Sequence, residues 1–347
     1  MLGGNWDVMT TWEELLVPTA ADDVVATGTS GNLTNSGLAD VCRSLDFTNY
    51  TGTFTRNAST SLSIGDGTAG AGNVALKLVA GMTVVDNSSA VISFVSTSTT
   101  QQTIAFAGKS LDGIGFNGVG GSWILSDAAT VTGFFSLTKG AIDCNNQNVT
   151  AAALTSSNAN VRTLTMGSGT WTLSGTGTVV NLATTTNLTF TTSPLILLTD
   201  AGASNKTFAG GGLTFTEVRI TTGGTGIVIF TGSSTFAKLS VTGGGTKNVR
   251  FTAGTTQTLT GGTDSFFSGA ASNLITIDSS SVGSSATISK SSGTVESDYL
   301  SLKDSAAAGG AVFTANNSTN VSGNSGWNFP SSGKPTFANS YRRRRAG

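Results

Sequence analysis

Apolar side chains alternate with polar ones in short runs along most of the chain. Examples are residues 62–64, 75–79, 163–166 and 218–220, each bounded by Gly, Asn, Asp or Ser. Alternation with a period of two is typical of β-strands, because successive side chains of a strand point to opposite faces. Helical periodicity is nearly absent, and only residues 11–16 are predicted to form a short helical turn. The pattern therefore predicts an all-β protein.

Turn-forming residues recur about every ten residues, a spacing that fits a sandwich, a barrel or a solenoid. Weak internal similarity favours the solenoid. The segment around Trp123 resembles that around Trp171, and the segment around Phe208 resembles that around Phe236. No single repeat length relates these pairs, which is typical of irregular coils joined by loops of varied length. We therefore predict a parallel β-helix (β-solenoid) with small N- and C-terminal caps, its coils stacked over inward Leu, Ile, Val and Phe.

The composition fits a folded chain with a nearly neutral surface. Of the 347 residues, 38% are hydrophobic and only 11% are charged, with a net charge of −1. Disordered chains have too few apolar residues to offset their conformational entropy, which is not the case here. We divide the chain into an N-terminal cap at 1–28, a solenoid at 29–329, and a linker with a basic C-terminal tail at 330–347.

Several classes of chemistry are excluded or disfavoured by residue content. The chain has no histidine, so histidine-dependent nucleophiles and histidine-ligated zinc are excluded. Cys42 and Cys144 lack metal-ligand spacing and are predicted to be buried small residues. We expect no cofactor. The balance of 18 basic and 19 acidic residues argues against a nucleic-acid partner.

Targeting signals are also missing from the sequence. The first residues lack the basic and apolar regions of a signal peptide, and no apolar run approaches the roughly 18 residues that span a bilayer. We therefore expect no membrane partner and assembly inside a cell.

Three parts of the chain resemble the β-helical structural proteins of tailed bacteriophages and prophages. They are residues 4–25, with Trp6, Trp12 and Pro18; residues 162–173 together with 206–215; and residues 289–293, 298–302 and 323–327. The shared motifs consist of Gly, Thr and aromatic residues, so they specify a fold better than an activity. The family has no agreed catalytic motif, and no functional residue is transferred from it.

The resemblance implies a non-enzymatic virion structural protein, assembled in the host cytoplasm. It would be a capsid decoration or head fibre, or a tail fibre, spike or baseplate component, and would stabilise the particle or attach it to a host surface. Other virion proteins are the expected partners, together with a host surface glycan or receptor, and a homotrimer is expected by analogy. The position in the particle, the receptor and the copy number stay open.

Two alternatives remain beside the virion structural protein. The first is a glycan-degrading tailspike, which needs only two carboxylates on a groove. The second is a bacterial surface adhesin, which would require an export signal. The candidate carboxylates mostly lie beside Gly, Ser or Asn, where Asp commonly stabilises a turn. They are Asp22, Asp23, Asp112, Asp127, Asp143, Asp278, Glu296, Asp298 and Asp304.

Two further groups of residues have competing interpretations. Trp123 and Trp171 are predicted to pack in the core, with contact to a glycan as the alternative. The run Arg342, Arg343, Arg344 and Arg345 is predicted to be a solvated tail or, alternatively, a virion-anchoring segment. Guanidinium groups pair with carboxylates through two parallel hydrogen bonds, which suits docking on an acidic groove.

Overall fold

The computed structural model of the chain describes residues 2–191, 194–221, 224–242 and 247–330. Within these residues the only helical elements are two 3-10 segments, Met9–Thr11 and Ala71–Asn73. The short helical turn predicted at 11–16 is thus replaced by a 3-10 turn slightly earlier. Neighbouring strands run parallel, and about 13 turns of chain stack on one another. The predicted β-solenoid is confirmed.

Each complete coil contributes a strand to each of three faces, which we number from the first strand of the chain. The first face consists of Gly4–Asn5, Leu33–Asn35, Thr53–Arg56, Thr83–Asp86, Ser110–Leu111, Ala129–Val131, Val149–Ala151, Trp171–Leu173, Leu195–Leu198, Thr294–Asp298, Val312–Asn316 and Trp327–Asn328. The second face consists of Asp40–Cys42, Leu62–Ile64, Ile92–Phe94, Ala153–Thr155, Gly177–Asn181, Lys206–Ala209, Ile227–Thr231, Lys247–Phe251, Ile275–Ser279, Leu300–Lys303 and Thr319–Ser322.

The third face and the bent strands complete the coils. The third face consists of Asp23–Val25, Ser44–Asp46, Val74–Lys77, Gln102–Ala105, Arg162–Thr165, Leu188–Thr191, Thr256–Leu259, Ala286–Lys290 and Ser305–Gly309. Four longer strands turn a corner and contribute to two faces each: Ile114–Leu125, Phe134–Asp143, Thr214–Ile220 and Ser234–Val241.

Inward side chains of the second face form a continuous ladder. In Lys206–Ala209, Ile227–Thr231 and Lys247–Phe251, residues Phe208, Phe230 and Phe251 are in register. Their ring centroids are 5.3 and 5.2 Å apart, and all three side chains are buried. Parallel strands place identical positions directly above one another, so each apolar ring packs on its equivalent in the next coil. The stack therefore extends the core along the solenoid axis.

Corners between faces depend on residues that tolerate left-handed backbone conformations. Gly140 has a φ of 84° and lies where a Cβ atom would be 2.6 Å from the carbonyl oxygen of Gly118 in the coil before. Asn145 and Asn146 have φ values of 48° and 58°, a conformation that Asn adopts more readily than most residues. The Gly and Asn content of the chain thus reflects its many tight corners.

The internal similarities in the sequence do not mark equivalent positions in the coils. Trp123 aligns with Ile142 on the third face, whereas Trp171 aligns with Val149 on the first face. Hydrogen bonds between neighbouring coils join residues at varied separations, for example 18 between Leu300 and Ser318 and 34 between Arg56 and Ala90. Because the corners vary in length, similar strands recur on different faces.

Aromatic residues close the apolar core near both ends of the described chain. Trp6 and Trp12 are buried in a T-shaped contact with ring centroids 5.2 Å apart. Trp327 packs on Phe313, with centroids 5.2 Å apart. The predicted cap at 1–28 contains Gly4–Asn5 and Asp23–Val25, which already pair with following coils, so the solenoid begins before residue 29. Of the predicted linker and tail at 330–347, only Pro330 lies within the described residues.

We expect Phe230→Ala to lower the free energy of unfolding by about 3–5 kcal/mol, because it leaves a cavity in the aromatic ladder. Val282→Ala is the matched control, since Val282 is 80% exposed and its truncation should change stability by no more than about 0.5 kcal/mol. Denaturant unfolding followed by circular dichroism measures both. Equal losses in the two variants would contradict a core built on this ladder.

Candidate functional surfaces

Several cations point inward at the corners, where their charge is satisfied by nearby oxygen atoms. Arg56 is fully buried, and its Nη1 donates to the carboxylate of Asp86 at 2.9 Å while Nη2 donates to the carbonyl of Ala90 at 2.7 Å. Lys206 forms an ion pair with Asp200 at 2.7 Å. An unpartnered buried charge is strongly unfavourable, so these contacts are required for the cations to lie inside. Their role is structural.

Arg162 is held without a carboxylate among its hydrogen-bond partners. It donates to the Ser156 hydroxyl at 2.7 Å and to the carbonyls of Asn160 and Thr186 at 2.9 Å each. A further hydrogen bond goes to the carbonyl of Thr184. Burial lowers the pKa of Arg162. The guanidinium therefore joins two successive coils at one corner.

Charged residues on the outer surfaces form pairs that neutralise one another. Arg250 donates two hydrogen bonds to Asp278 in the next coil, at 2.8 and 2.6 Å. Lys238 pairs with Asp264, and the hydrogen bond between them lowers the pKa of that carboxyl. Exposed pairs contribute little to stability, but they leave the sides of the solenoid nearly neutral.

Most of the candidate catalytic carboxylates bind turns or basic residues. Asp127 accepts the backbone N–H groups of Phe106 and Ala107, and Asp304 accepts that of Gly283. The other acids with a turn, hydroxyl, amide or basic partner are Asp22, Asp23, Asp112, Asp143, Asp278 and Asp298. For Glu296 the structure assigns no such role. These contacts agree with the turn interpretation of the acidic residues.

The two tryptophans proposed as a glycan platform lie inside the core. The side chains of Trp123 and Trp171 have no exposed surface. Trp123 packs on Phe116, and Trp171 packs on Phe135, with centroid distances of 5.2 and 5.0 Å. A sugar cannot stack on either ring in this structure, so the glycan alternative for these residues is wrong and core packing is confirmed.

Both cysteines are likewise structural. Cys42 and Cys144 are free thiols with fully buried side chains. Burial raises the pKa of each thiol, which keeps the reactive thiolate form scarce. The prediction of two buried small residues is confirmed.

Shallow grooves with both polar and apolar lining lie on the surface of the solenoid. One groove of about 590 Å³ is lined by Asp143, Asn146, Thr165 and Ser168, among others. Asn146 accepts hydrogen bonds from the backbone and hydroxyl of Ser168 at 2.9 and 3.0 Å, so the Asn side chains at this corner bridge neighbouring coils. A larger groove of about 770 Å³ is lined mainly by Gly, Ser and Thr over 258–263 and 289–294. Hydroxyl and amide groups in such grooves can hydrogen-bond polar ligands.

An apolar and acidic surface lies at the start of the solenoid and was not predicted from the sequence. We call it the N-terminal end surface. Beside its apolar residues is a groove of about 410 Å³ that is lined in part by Glu13, Glu14, Asp22 and Asp23. In the sequence, this surface differs from the strands only in that its apolar residues do not alternate with polar ones. Its exposed apolar members are Leu2, Val8, Met9, Leu15, Leu16, Val17 and Val25.

The four arginines proposed as an anchor, Arg342, Arg343, Arg344 and Arg345, lie outside the described residues. Within the described ranges, no group of three or more potential metal ligands comes together. In the same part of the chain, none of the helical segments has the length and hydropathy needed to cross a bilayer.

Comparisons with known proteins give no relative for this chain. No family model, curated protein or solved structure matches it.

The buried carboxyl of Asp40 gives a pH-dependent prediction. Burial raises the pKa of Asp40 above its usual value of 3.8, despite a hydrogen bond from Asn35 at 2.5 Å. The folded protein then holds this proton to a higher pH than the unfolded chain, so stability falls as the pH rises through the folded pKa. We therefore expect the stability of Asp40→Asn relative to the original protein to increase as the pH rises from about 3 to about 7.

Asp22→Asn is the control with the opposite sign. Hydrogen bonds from Thr19 lower the pKa of Asp22, so its contribution to stability is lost as the pH falls. As the pH rises from about 3 to about 7, the stability of Asp22→Asn relative to the original protein should therefore decrease. Thermal unfolding at a series of pH values measures both differences. Parallel curves for Asp40→Asn and the original protein would contradict the role given to Asp40.

Proposed function

We propose that the chain is a non-enzymatic structural protein of a bacteriophage particle. The observation that carries the proposal is the stack of about 13 parallel coils, in which most of the described acidic side chains accept hydrogen bonds at turns or form ion pairs. Such a stack is a stiff element in which each coil is stabilised by its neighbours. The phage setting is supported by the resemblance to β-helical phage proteins of residues 4–25, of 162–173 with 206–215, and of 289–293, 298–302 and 323–327.

The outer surface suits a role in contact and extension. Its grooves present hydroxyl, amide and backbone groups, and its exposed ion pairs leave little net charge. A rigid element of this kind serves equally as a capsid decoration or head fibre, or as part of a tail fibre, spike or baseplate. In each place it would bind other virion proteins and could present its polar corners to a host glycan or receptor.

The expected homotrimer gains no support from the sides of the solenoid. Beyond the N-terminal end surface, the exposed large apolar side chains of the described residues are far apart along the sequence. They are Leu38, Val85, Val119, Phe134, Val161, Val282, Val312 and Val321. Singly exposed apolar residues also occur on monomeric surfaces, so the proposal does not include the trimer.

Particle localisation tests the virion role directly. We expect an antibody raised against the purified chain to label intact particles at one fixed position in immunogold electron microscopy. The protein should also remain with particles through density-gradient purification and appear in their mass spectra. Antibody absorbed with the purified chain is the control. Failure to find the protein in purified particles that contain their other structural proteins would overturn the proposal.

Incubation with host polysaccharides tests the glycan-degrading alternative. Because the candidate acids stabilise turns and ion pairs, we expect no release of reducing sugar by the purified protein. A known glycan hydrolase on the same substrate is the positive control. Sugar release that is abolished by Asp143→Asn, a change at the groove of Asn146 and Ser168, would instead establish the enzyme.

A further inference from the structure

The two ends of the chain carry opposite charge. Residues 1–42 contain six acidic residues and no Lys or Arg, whereas residues 305–347 contain five basic residues and no Asp or Glu. The first basic residue along the chain, Arg43, already forms an ion pair with Asp23. A chain with a net charge of −1 is therefore strongly polarised from one end to the other.

The acidic end is also the most apolar part of the described surface. Seven large apolar side chains are exposed there within the first 25 residues, against eight in the rest of the described chain. Leu16 is 68% exposed and lines the same groove as Glu13, Glu14 and Asp22, and no Lys or Arg lines it. Val17 and Val25 line the same groove as Leu16, and clustered exposed apolar side chains mark interaction sites more often than scattered ones do.

We propose that the basic segment Tyr341–Arg345 of one copy binds the groove of the N-terminal end surface on a second copy. Guanidinium groups form paired hydrogen bonds with carboxylates, and the tyrosine ring supplies an apolar face for Leu16 and Val17. Two N-terminal end surfaces would repel each other, since both are acidic. The four consecutive arginines at 342–345 are the densest run of complementary charge on the same polypeptide.

The length of the solenoid favours a second copy as the partner. About 13 coils at roughly 4.8 Å each separate the two ends by roughly 60 Å. The residues from 331 to 345 span at most roughly 50 Å even when fully extended, at about 3.5 Å per residue. A contact with the groove of the same chain would require the whole segment to be fully stretched, which costs the conformational entropy of all its residues and favours a second copy as the partner.

When the basic segment of one copy binds the N-terminal end surface of another, each copy still has one of its two binding sites unoccupied. Each added copy presents a free acidic end and a free basic tail, so the assembly grows as a head-to-tail chain unless it closes into a ring. Charge pairing at an exposed site weakens with salt, because the Debye length falls to about 8 Å at physiological ionic strength. The inference does not depend on the proposed virion role.

Charge reversal at each end tests the contact. One variant carries Arg342→Glu, Arg343→Glu, Arg344→Glu and Arg345→Glu, and the other carries Glu13→Lys, Glu14→Lys and Asp22→Lys. Sedimentation velocity of the full chain should show concentration-dependent, salt-sensitive growth for the original protein. Each variant alone should associate at least about tenfold more weakly, since its two ends then carry the same sign.

An equal mixture of the two variants should recover association, because each tail now meets an end of opposite charge. A control with Asp66→Lys and Glu296→Lys changes charge on the sides of the solenoid and should assemble like the original protein. Circular dichroism checks that every variant is folded. Recovery in the mixture cannot be explained by misfolding of either variant.

Site-specific cross-linking identifies the partner groups. A photoreactive amino acid at position 341, in a mixture of isotope-labelled and unlabelled chains, should give links between chains that map to residues 8–25. The inference is overturned by a single mass at all concentrations and salt levels, by a closed trimer unaffected by the charge changes, or by links within one chain. None of these outcomes decides whether the protein is found in particles, so the two proposals fail separately.

Discussion

Stacking of one coil on the next is the constraint on which this structure depends. A coil of three short strands cannot satisfy its backbone or bury its inward side chains alone. Parallel registry solves both problems together, because hydrogen bonds and apolar ladders repeat at the same interval along the axis. The ring stack of Phe208, Phe230 and Phe251 is the clearest result of this registry.

Much of the fold could be predicted from the sequence because strand alternation is local. The predicted strands at 62–64 and 218–220 lie within observed strands, and the inward aliphatic and aromatic ladder follows from the same pattern. The similar segments around Trp123 and Trp171 lie on different faces, because the length of the corners decides which face a strand joins and leaves little trace in short motifs. Register is a property of neighbouring coils and not of one segment.

The surfaces were harder to predict than the core. An inward Arg56 or Arg162 contradicts a simple rule of apolar residues inside, and only the folded corners reveal the oxygen atoms that accept their hydrogen bonds. The N-terminal end surface was missed for a related reason. Whether Leu16 or Val17 is exposed depends on whether another coil covers it, which periodicity does not report.

The buried cations have a consequence for how the coils find their neighbours. Coils rich in Thr and Gly resemble one another, and a displacement by one turn would still pair most strands. Such a displacement would separate Arg162 from the carbonyls of Thr184 and Thr186 and leave part of its buried charge without hydrogen-bond partners. Each inward cation thus favours one pairing of neighbouring coils over the others. Misaligned stacking loses stability at these few positions, although the rest of the sequence is repetitive.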